Sequence, residues 1–183
     1  PTYLYITAEN LIDETWIRFY CCLTNTPHEK LIKKIRNFTY DYQAKDFNSP
    51  KEAEDILIKF NQQMQNEVKQ LLRSYGANVI FKYVPMNETT VRDIESIVSD
   101  VSSKNYLRCL YIDYLDLITT GQNLDYRFEL TKVSEGFKNI SIVYNIPVIT
   151  VTQLNREGYN PNSAPSLTQM SESMGKINNS DAV

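Results

Sequence analysis

Four short apolar runs, separated by longer amphipathic stretches, constrain the fold of this chain more than any other feature of its sequence. The runs cover residues 3–8, 78–84, 107–113 and 147–152, and they are rich in the β-branched and aromatic residues typical of strands. Segments of helical periodicity lie between them. Because nearly continuous apolarity indicates strands covered on both faces, the pattern predicts an α/β fold with a mainly parallel sheet flanked by helices.

The helices between these strands carry start and stop signals. TPHE and SPKE, which begin at Thr26 and Ser49, each offer a hydroxyl N-cap, a proline at the first helical position and a glutamate that completes a capping box. Apolar residues then recur at steps of one, three or four from residue 53 to Leu72, and Gly76 follows as a stop. One long amphipathic helix is therefore predicted there. Shorter helices are predicted over residues 14–23, 90–102 and 126–144, and a loop over residues 156–166.

Length and composition exclude several classes of protein. A chain of 183 residues predicts a single domain with a sizeable core. Its net charge of −3 argues against a protein whose whole surface binds nucleic acid, but it is compatible with a local basic stripe. The three cysteines fit neither a disulfide framework nor a metal-ligand spacing, which indicates a reducing compartment. Because no apolar stretch reaches the roughly 18 to 20 residues needed to span a bilayer and no export signal is visible, we expect a cytoplasmic protein without membrane contact.

Polar side chains follow three of the predicted strands at the point where each strand ends. Glu9, Asp113 and Gln153 occupy these positions. Ligands of open parallel sheets bind at the carboxyl ends of the strands, so we expect these residues to share one crevice. Two carboxylates and an amide suit metal-assisted attack of water on a phosphate. Taken alone, Glu9 also fits a helix N-cap or turn former, apolar strands that end in aspartate as at Asp113 are common, and Gln153 is a weak signal.

Other candidate groups limit the chemistry further. His28 is the sole histidine, so histidine-based triads and histidine-rich zinc sites are largely excluded, and a carboxylate must act as any general base. None of the five glycines stands in GxxxxGK[ST], the Walker A loop that holds nucleotide phosphates. Asp116 could share a metal role, but we expect it to be a solvated or capping group.

Several blocks of the sequence resemble the motor domain of replicative hexameric DNA helicases, the DnaB-like family of RecA-type ATPases. They are, in chain order, YLYITAEN, RFYCCLTNTPHEKL, CLYIDYLDLI, FKNISIVYNIPVITVTQLNR and PSLTQMSESMGKINNSDA. The last block is more similar to the tailed-phage branch than to the bacterial one. The resemblance runs from Tyr3 to the end of the chain, and the combination of IDYLDL with IPVITVTQLNR is its most specific part.

The resemblance implies a RecA-like P-loop NTPase core and a role for each matching residue. Glu9 matches the catalytic glutamate that activates water, and Asp113 matches the Walker B aspartate that positions Mg²⁺ through water. Gln153 matches the catalytic-site glutamine that couples the γ-phosphate to the DNA side. Residues implied to contact DNA are Arg156, Glu157, Gly158, Asn160 and Asn162. ATP and Mg²⁺ are the implied cofactors, and the implied partners are single-stranded DNA, further copies of the chain in a hexameric ring, primase and a helicase loader.

The sequence also departs from the family pattern. In relatives the Walker A loop precedes the strand that begins here at Tyr3, and an arginine finger lies beyond the position of Val183. We therefore interpret residues 1–183 as a single partial motor domain truncated at both ends, with ATP hydrolysis expected of the intact parent and not of the isolated chain. Asp116 stands where many relatives have glutamine. The implied location is the cytoplasm of a bacterium or of a phage-infected cell.

Two other functions remain open at this point. Another RecA-like ATPase, such as a recombinase paralogue or a clock-type protein, would share the carboxylates and the strand order. A non-catalytic assembly or loader module would keep the fold without the phosphate-binding loop. A helicase unwinds a forked duplex, whereas another RecA-like ATPase does not. A helicase also hydrolyses ATP, whereas a non-catalytic module does not.

Overall fold

The computed structural model describes residues 1–31, 33, 50–122, 124–153 and 174–182. These fall into two compact units. The first unit contains residues 1–10 and 79–183, and the second contains residues 11–78.

The first unit is built on a four-stranded sheet. Its strands are β1 (Thr2–Thr7), β2 (Asn78–Tyr83), β3 (Leu107–Asp113) and β4 (Val148–Thr150), in the order β2-β1-β3-β4. β3 pairs in parallel with both β1 and β4. The register places Thr7, the last residue of β1, beside Asp113, the last residue of β3. The predicted α/β fold with a mainly parallel sheet is confirmed.

Helices lie close to the positions that the sequence predicts. The described helices are α1 (Ile12–Thr24), α2 (Pro50–Ser74), α3 (Val91–Lys104), α4 (Tyr126–Tyr144), the short α5 (Met174–Asn178) and a 3-10 turn at Leu115–Leu117. Residues 28–31 and 33 are also helical. Among the described residues, no helix is both long and apolar enough to cross a bilayer.

One face of the sheet forms the core of the first unit. Leu4, Ile6 and Leu110 are fully buried and pack with apolar residues of α3 and α4, among them Ile94 and Val133. Residues of β1 alternate between buried and half-buried because their side chains point to opposite faces of the sheet. No residue of β1 is exposed, and β1 is a central strand of the sheet.

β4 is shorter than the run predicted over residues 147–152. Pairing stops at Thr150, whose hydroxyl donates to the carbonyl of Ile112 at 2.9 Å. Two residues later, the side chain of Thr152 bonds to Asp116 and not to a strand. Beyond Thr150, side-chain hydrogen bonds and one backbone bond, from Leu115 N–H to the Val151 carbonyl, hold the two chain segments together.

The second unit pairs α1 with the long helix α2. Met64 and Val68 of α2 are buried, as the apolar periodicity requires, and the ammonium of Lys69 lies 5.6 Å from the ring centroid of Trp16 in α1. α2 ends just before Gly76, whose φ of +68° is a conformation that glycine adopts without steric cost. The prediction of one long helix stopped by Gly76 is confirmed.

Hydrogen bonds to Glu129 link the start of α4 to the residues that follow the 3-10 turn. Its carboxylate accepts from the hydroxyl of Thr119 at 2.6 Å and from that of Thr120 at 2.8 Å. Burial alone would raise the pKa of this carboxyl, but hydrogen bonds from both threonines outweigh it, so the pKa is lowered. The bonds therefore stabilise the fold above the unfolded pKa of 4.5, and the effect is lost as the pH falls through the folded pKa.

We expect Glu129→Gln to lower the free energy of unfolding by about 2 kcal/mol at pH 7, since hydrogen bonds to a charged group are lost. The difference from the wild type should shrink as the pH falls through the folded pKa of Glu129. Urea denaturation at a series of pH values measures the free energy of unfolding of both proteins. Glu135→Gln is the matched control, because Glu135 forms an exposed helical ion pair with Lys132. An unchanged difference between pH 7 and pH 3 would contradict this account.

Candidate active site

A tight turn places Glu9 at the carboxyl edge of the sheet. The hydroxyl of Thr7 accepts from the backbone N–H of Asn10 at 3.0 Å and donates to the Asn10 carbonyl at 3.1 Å. Both residues are buried, and the backbone N–H of Ala8 donates to the carbonyl of Asp113 at 2.8 Å. The side chain of Glu9, between these anchors, is exposed. The turn therefore presents one carboxylate from a fixed piece of backbone.

Asp113 is held by side chains from β1 and from this turn. The hydroxyl of Tyr5 donates to Oδ2 of Asp113 at 3.0 Å, and the amide of Asn10 approaches the same oxygen at 3.5 Å, the long limit of a hydrogen bond. Both contacts involve one carboxylate oxygen and fix the orientation of the group. Sequence reasoning missed Tyr5 and Asn10, although Asn10 directly follows Glu9 in YITAEN.

Tyr114 joins the three residues predicted at the strand ends. Its hydroxyl accepts from the side-chain amide of Gln153 at 2.9 Å. The pKa of Tyr114 is raised, first by burial and then by neighbouring carboxylates. These carboxylates belong to Glu9, Asp116 and Asp113. Gln153 is thus bonded to Tyr114, and the carboxylates of Glu9 and Asp113 lie near enough to influence the pKa of Tyr114, a residue whose signal in the sequence is its place after Asp113.

Asp116 is neither solvated nor a helix cap, so that expectation is wrong. Its side chain is 8% exposed and forms an ion pair with Lys176, which is 3% exposed. The hydroxyl of Thr152 donates to the second oxygen of Asp116 at 2.7 Å. The reason is tertiary, because α5 brings Lys176 to a carboxylate that lies 60 residues earlier in the chain. An ammonium group therefore neutralises Asp116, which argues against a metal role for it.

The residues implied to contact DNA lie outside the described part of the chain. They are Arg156, Glu157, Gly158, Asn160 and Asn162. Their roles stay predictions.

The donor set at the ends of β1 and β3 fits a hydrated Mg²⁺ ion. Mg²⁺ prefers oxygen ligands and usually keeps several waters, binding through one or two carboxylates and the phosphates of a substrate. Asp113 offers a half-buried, oriented carboxylate, and the exposed carboxylate of Glu9 acts on the same Tyr114. These residues suit phosphate chemistry assisted by a metal ion.

Comparison with known families decides what kind of domain carries this site. Residues 32–183 match the family model of the DnaB-like helicase C-terminal domain. The chain belongs to this family.

Curated relatives of this DnaB-like chain include the replicative DNA helicases DnaB of two mycoplasmas. The protein of Mycoplasma genitalium is 27% identical over 118 residues, which cover 61% of this chain and 25% of the relative. The protein of Mycoplasma pneumoniae is 30% identical over 98 residues, which cover 51% of this chain and 20% of the relative. The chain thus spans about a quarter or less of the length of these relatives.

Solved structures show the same fold at low sequence identity. One is a DnaB-like replicative helicase described with its interactions with primase, and another is an isolated ATPase domain. Each is 18% identical and superposes with a TM-score of 0.68 over 98% of this chain, covering 39% and 57% of the respective structures. The RecA-like fold of the DnaB-like ATPase domains is thereby established.

Proposed function

We propose that this chain forms part of the ATPase motor of a replicative DNA helicase, which couples ATP hydrolysis to translocation on single-stranded DNA and to duplex unwinding. The observation that carries the proposal is the position of Asp113 and of the Glu9 turn at the adjoining carboxyl ends of β3 and β1, with Gln153 bonded to Tyr114, in a member of the DnaB-like family. We further propose that residues 1–183 belong to one motor domain. The family match over residues 32–183 and the structural likeness over 98% of the chain support this.

Each residue of the site has a role that its surroundings support. Glu9 is the general base: its exposed carboxylate accepts a proton from the attacking water. Asp113 would hold a Mg²⁺ ion through its waters, and the Tyr5 hydroxyl keeps the Asp113 carboxylate in place. Mg²⁺, when bound with ATP, supplies charge neutralisation at the phosphates. Gln153 senses the γ-phosphate, and its amide is anchored on the Tyr114 hydroxyl.

The DNA side of the motor follows Gln153 in the chain. We propose that Arg156, Glu157, Gly158, Asn160 and Asn162 contact the backbone of single-stranded DNA. Such contacts weaken with salt and carry little sequence information. Further copies of the chain in a hexameric ring, a primase and a loader complete the proposed partners, and the cytoplasm of a bacterial or phage-infected cell is the proposed location. One solved relative is described with primase, which supports that part.

The rival functions make different predictions. Another RecA-like ATPase, of the recombinase or clock type, would hydrolyse ATP without unwinding a forked duplex. A non-catalytic assembly or loader module would do neither. The family match favours the helicase over both.

The test uses the full-length protein, because this chain spans only part of its relatives. ATP hydrolysis is measured with and without single-stranded DNA, and unwinding is measured on a forked duplex. The proposal predicts DNA-stimulated hydrolysis together with ATP-dependent unwinding. Hydrolysis without unwinding would support the other ATPases, and absence of both would support the non-catalytic module.

We expect Tyr114→Phe to reduce DNA-stimulated hydrolysis by the full-length protein about fivefold, roughly the value of one hydrogen bond. The substitution removes the hydroxyl that accepts from Gln153 and leaves the ring in place. Steady-state kinetics with saturating single-stranded DNA measure the change. Tyr106→Phe is the control, because Tyr106 is 70% exposed and its hydroxyl accepts from Arg108 at the surface. A Tyr114→Phe rate equal to that of the wild type would show that the anchor of Gln153 is unimportant.

A further inference from the structure

A buried polar cluster of Asp116, Lys176 and Thr152 lies beside the proposed active site and has no role in the chemistry described above. The Lys176 ammonium forms an ion pair with Asp116 and donates to the Thr152 hydroxyl at 2.7 Å, while that hydroxyl donates to Asp116 at 2.7 Å. Each member therefore contacts both others. We call this set the Asp116 cluster.

A gain in stability does not by itself explain why the Asp116 cluster is buried. Moving an ammonium and a carboxylate out of water costs about as much as their attraction returns, and an apolar replacement is often equally stable. Directional hydrogen bonds do provide fixed geometry, which apolar contacts of the same size do not. The cluster is thus suited to holding three pieces of backbone at defined positions.

The three residues of the Asp116 cluster come from three separate parts of the chain. Asp116 lies three residues after Asp113, in the 3-10 turn that continues β3. Thr152 directly precedes Gln153, and Lys176 lies in α5, on the far side of residues 154–173 in the chain. The proposed DNA-contacting residues all belong to residues 154–173. Both ends of that segment are therefore attached to one carboxylate beside the proposed hydrolysis site.

A second set of contacts joins the same turn to the end of β4. The backbone N–H of Leu115 donates to the Val151 carbonyl at 3.3 Å, and Gln153 donates to Tyr114. Together with the hydrogen bond from Thr152 to Asp116, these contacts join the three residues 114–116, after β3, to the three residues 151–153, after β4. A shift of Thr152 relative to Asp116 consequently moves Gln153 relative to Asp113.

We propose that Asp116 and Lys176 are positioning residues that couple the DNA-binding segment to the hydrolysis site. The proposal rests on the proposed function, and it assigns neither residue to the chemical step. A displacement of Thr152 or of Lys176 reaches Asp116 through these contacts. The cluster transmits it to the turn that carries Tyr114, and so to Gln153.

The experiment compares the ratio of ATP hydrolysis with and without single-stranded DNA in variants of the full-length protein. We expect Asp116→Asn and Lys176→Met each to lower this ratio about tenfold, a change typical of coupling between two sites. A purely structural defect reduces the active fraction, which scales both rates equally and leaves the ratio unchanged. Lys138→Met is the matched control, since it removes the more exposed ion pair between α4 and Asp181.

A double variant, Asp116→Asn with Lys176→Met, guards against misfolding because it removes both charges of this ion pair. It should unfold at a higher temperature than Lys176→Met alone but keep the lowered ratio. A wild-type ratio in the double variant, or an equal loss in Lys138→Met, would overturn the proposal. If DNA stimulates ATP hydrolysis equally in the wild type and in these variants, the proposed coupling is refuted and the proposed function stands. A wild type without stimulation refutes the proposed function and the coupling with it.

Discussion

Replacement of Glu9 by glutamine in the full-length protein is expected to lower kcat for DNA-stimulated ATP hydrolysis about 10²- to 10⁴-fold, the range of general-base catalysis. Glutamine has nearly the same shape as glutamate but accepts no proton. The Thr7–Asn10 hydrogen bonds that hold the turn involve no atom of the Glu9 side chain, so the fold should be unchanged. Affinity for ATP should also stay within a few-fold of the wild type.

Single-turnover hydrolysis with saturating DNA and Mg²⁺ separates this effect from slow product release. Glu14→Gln is the matched control, because Glu14 is an exposed glutamate that pairs with Arg18 on the surface of α1. It should hydrolyse ATP at the wild-type rate. A Glu9→Gln variant with unchanged kcat would remove Glu9 from the role of base.

Lys176→Met is expected to lower the free energy of unfolding by about 3–5 kcal/mol, the usual cost of leaving one partner of a buried ion pair alone. Methionine preserves most of the volume of the lysine stem, so the loss reports the charge. Asp116 would keep its bond from Thr152 but lose the ammonium that neutralises it inside the protein. Chemical denaturation at pH 7 measures the change.

Two variants make the measurement specific to burial. Lys138→Met removes an ion pair whose Asp181 side chain is 84% exposed, so we expect a loss below about 1 kcal/mol. Adding Asp116→Asn to Lys176→Met should recover most of the stability, because the unpaired charge is gone. Equal losses for Lys176→Met and Lys138→Met would show that the Asp116 cluster is not buried in solution.

Local sequence signals were sufficient for the elements that carry the site. The helix predicted over residues 126–144 matches α4 at both ends, where Asp125 caps the first turn and Asn145 adopts the left-handed conformation that ends it. The apolar runs that end at Glu9 and Asp113 are strands because their composition suits a half-buried pleated surface. Polar residues after such runs could therefore be named in advance.

Contacts between distant residues could not be predicted in the same way. The pairing of Asp116 with Lys176 depends on where α5 lies, and no local pattern reports that. Tyr5 was assigned to a strand, but only the parallel register of β1 with β3 brings its hydroxyl to Asp113. The single domain expected from length stays a prediction, since the described residues form two compact units.

The most direct test of the proposed site is a structure of the full-length protein with Mg²⁺ and a non-hydrolysable ATP analogue. The account predicts the γ-phosphate at the carboxyl ends of β1 and β3, with a water about 3 Å from the Glu9 carboxylate in line for attack. Asp113 should contact waters of the metal ion. Nucleotide phosphates bound at the opposite edge of the sheet, or remote from Glu9 and Asp113, would contradict it.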